Sequence, residues 1–468
     1  MLARKLPSHS AHVCVAQRVT RLLIASALAC IAVSCLSVKQ ASAQIALGGL
    51  GRSVGGVAID ANGVLANAAQ GEVEKLRDIR LKAMHNTPDD LVEPNEQRKV
   101  SLRGIIAALA ECREKDLNIP EEIQFLAGLQ RIRYVLVYPE QQDIVLVGYG
   151  EGWKVGDTGE YVGIKTGRPV LLLDDLLVAL QTAMNAAKGG INCSIDPTPE
   201  GIQRLQQVTA DHAARGVDNE QTIKVLAEAL GPQVITLEGV PVTSHFARVM
   251  VAADYRMKRI QMGFEPVPIK GLISYMDMIK GNTRQQVSPR FWMATNYDAL
   301  LTDGEGLAWE LRGQGVKTMT EDALFAKGGE RKLTGKANPI AKKWADTMTA
   351  KYEELSQREP IFGQLRNCMD MAVIGALIVK EGLAQKAGCD ISSLTDPLTS
   401  PVVQFAVPKQ INSETSVRER PDGGWITSTS GGVQIHSWGV ADRKERSDTL
   451  APVREKSARG KQTGWRWN

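Results

Sequence analysis

The stretch RIRYVLVYPEQQDIVLVGYG, residues 131–150, commits this chain to a β-sheet. β-branched and aromatic residues flank a polar turn, and such runs fit a half-buried pleated surface. Two further segments read the same way. GVAIDANGVL, residues 56–65, places Asn62-Gly63 between short apolar runs, a dipeptide that tolerates the positive φ both turn positions need. NYDALLTDGEGLAWEL, residues 296–311, turns at Asp303-Gly304. Hairpins cannot bury an apolar face alone, so other elements must cover them.

Helical patterns alternate with these strands. Asp174 is expected to cap a helix running to about Ala187. Thr198 with Pro199 opens a second helix, after a strand in which Ile191, Cys193 and Ile195 share one face. Thr243 is expected to cap a third, where Phe246, Met250, Ala253, Met257 and Ile260 recur at steps of four and three. Asn338 and Pro339 start a helix presenting Ile340, Trp344, Met348, Tyr352 and Leu355, and Pro360 opens another with Phe362, Leu365, Met369, Ala372, Ala376 and Val379. These last two stripes are expected to face each other as a helical hairpin.

The expected fold class is therefore α/β or α+β: mixed strands and helices, several hairpins and a C-terminal helical hairpin. With 43% hydrophobic and 23% charged residues the chain can build a sizeable core. Residues 44–395 are expected to form it in one or two lobes, and 396–440 a small β segment. Residues 441–468, basic and without apolar period, read as a disordered tail. That tail ends in Trp465-Arg466-Trp467-Asn468, aromatics that suit a partner groove or a membrane interface.

Before Asp60 the chain has no acid. Arg4, Lys5, Arg18 and Arg21 precede an apolar run to Leu36 and a small-residue site at Ala41-Ser42-Ala43, the order of a secretory signal. Residues 1–43 are expected to be removed, with Gln44 as the new terminus. The apolar run falls short of the roughly 20 residues a spanning helix needs. Two rivals are lipidation at Cys35, in a box whose first position is Ala32, and an uncleaved anchor; membrane attachment is expected only through one of these. Cleavage would turn the whole-chain charge of +4 into −1, and a body without excess basicity argues against a nucleic-acid partner. Cys112, Cys193, Cys368 and Cys389 then remain, either as two disulfides or as buried thiols.

Motifs that carry chemistry are few. Gly51-Arg52-Ser53-Val54-Gly55 matches the nucleophile elbow, but a hairpin follows where the elbow needs a helix. Gly148-Tyr149-Gly150-Glu151-Gly152 follows a strand, yet no helix starts after it to hold a phosphate. His85, His212, His245 and His436 lack the short spacings of zinc sites, so no metal and no cofactor are expected. Asp60-Ala61-Asn62-Gly63 reads as a turn and not as a calcium loop.

Basic groups give the fullest signal. Arg248 and Arg259 fall on nearly one azimuth, with Arg256 and Lys258 beside them, a candidate anion-binding face; Asp254 can pair with Lys258. Lys327, Arg331, Lys332, Lys336, Lys342 and Lys343 form a second basic stretch suited to an anionic surface polymer.

GVAIDANGVL, EGWKVGDTGEYVGIKTGRPVLLLDDLLVAL, ADYRMKRIQMG, PRFWMATNYDALL and YEELSQREPIFGQLRN together resemble an uncharacterised family of exported bacterial proteins, known only as a domain of unknown function. The resemblance runs from Gly55 to about Leu383; it implies a common fold and export, and brings no catalytic residue. The expected function is a non-catalytic binding or scaffolding protein of the envelope or extracellular space, with an envelope polymer or a protein as partner. The alternative is a hydrolase whose site assembles from distant residues, with Glu151, Asp157, His245 and Asp254 as candidates.

Overall fold

Each of the three strand-turn-strand segments forms a hairpin, and they seed two different sheets. β1 (Val57–Ile59) and β2 (Val64–Asn67) pair antiparallel, Ile59 opposite Leu65. Asp60 Oδ1 ties the turn by accepting from the N–H groups of Asn62 at 2.9 Å and Val64 at 2.8 Å, and Gly63 takes a φ of 85°. β4 (Tyr134–Tyr138) pairs with β5 (Asp143–Gly150), and β11 (Leu300–Thr302) with β12 (Ala308–Glu310). The computed structural model of the protein describes residues 53–213, 219–279, 288–325, 331–413, 416–419, 425–428, 431–458 and 464–468. The expected signal segment, with Cys35, Ala41, Ala43 and Gln44, lies outside the described residues, as does Lys327.

The seven-stranded sheet adds β3 (Asn95–Ser101), β19 (Lys444–Arg446) and β20 (Arg466–Trp467), in the order β19-β11-β12-β4-β5-β3-β20. The nine-stranded sheet adds β8 (Ile191–Pro197), β9 (Gln233–Glu238), β10 (Ser288–Asn296), β13 (Gly315–Phe325), β14 (Arg331–Leu333), β15 (Gln410–Ile411) and β18 (Val433–Ile435). Its order is β1-β2-β15-β9-β8-β18-β10-β13-β14. Most neighbours are antiparallel; β18 with β10, β15 with β2 and β11 with β19 are parallel. Alternation in β8 buries Ile191, Cys193 and Ile195 together, as the sequence predicts.

Five helices matter to the site: α1 (Leu173–Gly189), α2 (His245–Met262), α3 (Pro339–Ala350), α4 (Pro360–Lys380) and α5 (Leu450–Ala458). Asn338 caps α3, accepting from the Ala341 N–H at 2.8 Å, and Thr198 caps Pro199–Ala213 through the Gly201 N–H. Two expected caps shift by a residue or two. Asp174 sits inside the first turn of α1, and Ser244, not Thr243, caps α2. The C-terminal helices follow one another as expected, and their stripes meet at one end: Tyr352, on a short separate helix (Tyr352–Arg358), packs on the Phe362 ring at 6.1 Å and donates its hydroxyl to Phe362 O at 2.9 Å; beyond that contact the stripes part. α3 lies on β13, whereas α4 packs against α1 and α2. By length and composition α4 could cross a bilayer; here its whole apolar window is buried within the fold.

Residues 396–440 do not stand apart, since β15 and β18 are inner strands of the nine-stranded sheet. Nor are the described residues of 441–468 a disordered tail. β19 and β20 are the two edges of the seven-stranded sheet, and Leu450 and Trp467 join Tyr134, Leu136, Tyr138, Val145 and Val147 in one apolar cluster. Strands of two or three residues carry no period to read, so order there comes from the sheet they join.

Candidate functional site

Helix α2 is the centre of the candidate site. Ser244 Oγ accepts from the Ala247 N–H at 3.1 Å at its start, and Gly263, left-handed at φ 76°, ends it. The predicted stripe of Phe246, Met250, Ala253, Met257 and Ile260 is wholly buried. So is most of the opposite side: 16 of the 18 residues are buried, among them Arg248, Asp254, Lys258 and Gln261. A helix this enclosed must satisfy its polar side chains inside the protein.

It does so only in part, through a buried ionic cluster in which the Asp254 oxygens have charged neighbours but no side-chain hydrogen bond. Asp254 is 0% and Lys258 1% exposed. Lys258 Nζ donates to Gln233 Oε1 on β9. Asp196 on β8 and Arg290 on β10 add their charges to the field around Asp254. Burial pushes the Asp254 carboxyl up to about 7, with Lys258 opposing and Asp196 reinforcing the rise. The backbone at Gly431 roofs the carboxylate so closely that a Cβ there would lie 2.2 Å from Asp254 Oδ1; only glycine fits.

At the other end of α2, His245 Nδ1 meets both oxygens of Asp175 on α1, at 3.0 and 2.9 Å. The two side chains are 10% and 5% exposed. The Phe405 ring lies 5.7 Å away, in a segment fixed by Asp174 Oδ2 accepting from the Val403 N–H and by Thr243 O accepting from the Phe405 N–H. Burial raises the Asp174 carboxyl, opposed by that Val403 bond. An Nδ1–H given to a carboxylate leaves Nε2 as the basic nitrogen, the arrangement that orients a histidine for general-base work.

The four cations proposed as an anion-binding face do not share an exposed face. Arg248, 2% exposed, donates to Ala406 O at 3.3 Å, and burial lowers its pKa to about 10. Arg256 pairs with Glu265 and, at 3.1 Å, with Glu359. Arg259 Nε meets Glu265 at 2.5 Å, and Lys258 is in the core. A helical wheel assigns polar positions to water, but here Ala406 O, Gln233, Glu265 and Glu359 meet them.

The four hydrolase candidates are not brought together. Glu151 closes a structural knot, accepting from Gln130 Nε2 at 2.7 Å, Thr166 Oγ1 at 2.6 Å and the Thr166 N–H at 2.9 Å. Burial opposes its charge, but these bonds hold its pKa below the usual range. Asp157 is exposed in the turn between β6 (Trp153–Val155) and β7 (Tyr161–Gly163). His245 and Asp254 serve the separate clusters just described. Ser53 leads directly into the β1–β2 hairpin where a nucleophile elbow needs a helix, so no elbow forms. All four described cysteines are free and buried. Burial raises the Cys193 and Cys368 thiols well above their ordinary value, which keeps them unreactive.

Asp175 and Gln233 are the partners that the sequence does not single out: beside Asp175 only Asp174 reads as a helix-start acid. Neither has a local signal, because each partner lies on another element. Residues 193–275 match a family described as "Protein of unknown function (DUF1598)". The matched segment runs from Cys193 on β8 through the whole of α2, and so holds Asp196, Gln233, His245, Asp254 and Lys258. It is narrower than the span of the resemblance in sequence. No curated protein and no solved structure matches the chain.

Proposed function

We propose that the protein is an exported, non-catalytic binding or scaffolding protein of the envelope or extracellular space, whose contact surface for an anionic polymer is the outer face of α3. The observation that carries this reading is an open depression of about 470 Å³ along that helix, lined by Lys342, Lys343 and Lys351 with Asp346 as its acid. Lys342 pairs with Asp346 and Lys351 with Glu354, so the face keeps a modest positive excess. Lys332 and Lys336, both exposed, lie just ahead of it in the chain. Long ammonium side chains on an open surface suit a flexible polyanion whose charges need no fixed geometry.

The full-length protein is expected to be retained on a heparin matrix through moderate salt, and Lys342→Glu with Lys343→Glu to elute well before it. Elution of both at the same low salt would falsify the polymer reading. Fractionation with an intact mass tests the address separately: a mass that begins at Met1 in the cytoplasmic fraction contradicts export.

The His245–Asp175 pair motivates a second reading, a hydrolase in which His245 activates water. If a screen of ester and amide substrates finds turnover, His245→Gln is expected to lower kcat at least 100-fold with the fold intact. Unchanged turnover in that variant removes the pair from catalysis.

A further inference from the structure

The last five residues of the chain occupy a groove that is built without them. β20 adds to the free edge of β3 in antiparallel register, Arg466 opposite Val100 and Trp467 opposite Lys99, and the Ser101 N–H donates to Trp465 O at 2.8 Å. Trp467 is 5% exposed, set against the apolar cluster of β4 and β5. Asn468 closes the contact: its Oδ1 accepts from Arg98 Nε at 3.0 Å and its Nδ2 donates to Asp90 O at 3.0 Å. Arg466 pairs with Asp90.

The receiving side is rigid on its own account. Arg98, 0% exposed, is held by Leu91 O at 3.1 Å, Ala127 O at 2.9 Å and Glu93 O at 2.7 Å, all from residues outside the tail. Gly104 is the second fixed element. A Cβ there would stand 2.5 Å from Trp465 Cα, so glycine is what admits the strand. Into this slot the tail contributes a strand of only two residues, paired with β3 at two positions, a short element to hold against local opening.

We infer that the edge of β3 is a strand-addition site for an extended peptide, occupied in cis by residues 464–468. Its partner is a segment of the same chemistry: an aromatic side chain for the Trp467 slot followed by a carboxamide that meets Arg98. Strand addition supplies affinity through the backbone, while the slot and the guanidinium supply selectivity. The attached tail competes at an effective concentration on the order of millimolar, so the free site shows only when the tail is weakened.

The probe is a dye-labelled Gly-Trp-Arg-Trp-Asn peptide titrated by fluorescence anisotropy into the full chain. Trp467→Ala is expected to bind it at least tenfold more tightly than the unaltered protein, and adding Gly104→Ala to that variant to abolish the gain. Circular dichroism checks each fold; should Trp467→Ala unfold, Asn468→Ala, which removes only the amide contacts, carries the same test. Peptide binding no tighter than to the unaltered chain, or a gain that survives Gly104→Ala, overturns the inference.

Discussion

Replacing Arg131 by methionine lowers the stability of the fold by about 3 kcal/mol, the lower end of the cost of stripping one partner from a buried ion pair, since Asp370 is fully buried but the Arg131 side chain is 27% exposed. Asp370 on α4 is 0% exposed and accepts from Arg131 Nε at 2.8 Å, from Arg131 Nη2 at 3.0 Å and from the Tyr297 hydroxyl at 2.6 Å. Burial opposes the Arg131 charge, but Asp370 more than offsets it and raises the guanidinium pKa. Burial, and then Asp370, raises the Tyr297 phenol as well, so it stays a hydrogen-bond donor. Arg131 precedes β4 of one sheet, Tyr297 follows β10 of the other, and Asp370 sits on α4. Methionine fills much of the same volume and leaves the carboxylate with the phenol alone. Urea unfolding checks this: the midpoint should fall with little change in slope. The double variant Arg131→Met with Asp370→Asn should recover a good part of the loss, because the uncompensated charge is then gone. A single variant that unfolds at the unaltered midpoint would show that the pair carries no such weight.

The second large effect is a pH dependence centred on Asp254. Its ordinary unfolded value lies near 4, and in the fold it stands at about 7. The folded state therefore keeps a proton that the unfolded chain releases. The stability this contributes is fully present below about pH 4 and is lost as pH rises through about 7. The groups facing the carboxyl are Lys258 one turn along α2, Asp196 and Cys193 on β8, and Arg290 on β10. Asp254→Asn keeps the shape and removes the titration. The difference in unfolding free energy between variant and unaltered protein should shift in favour of the variant by a few kcal/mol between about pH 4 and pH 7, then level off. Taking that difference at each pH cancels carboxylates such as Glu151, whose lowered pKa acts with the opposite sign. A flat difference across the window would mean that Asp254 is charged throughout.

The sequence is legible wherever the physics is local. Asn62-Gly63 turns because glycine accepts a positive φ, and Asn338-Pro339 starts a helix because the Asn338 carbonyl oxygen accepts a free first-turn N–H while proline lacks an N–H that this position does not need. The β8 face of Ile191, Cys193 and Ile195 follows from side-chain alternation alone. Little of the candidate site could be read this way. Asp254 with Lys258 was visible as a four-residue spacing, whereas His245 meets a partner 70 residues away. The four cations around Arg248 were grouped by azimuth, and azimuth does not say what lies over a helix.

Strands, turns and helix starts are thus written locally, each set by propensities within a few residues. Which of their faces meet water is settled by packing between distant elements. That packing turned the charged side of α2 inward, set the final tryptophan-bearing strand on the edge of β3, and brought Arg131 and Asp370 together across 239 residues. The reason is physical: burial and pairing of a charge depend on neighbours from other elements, and no local period encodes them.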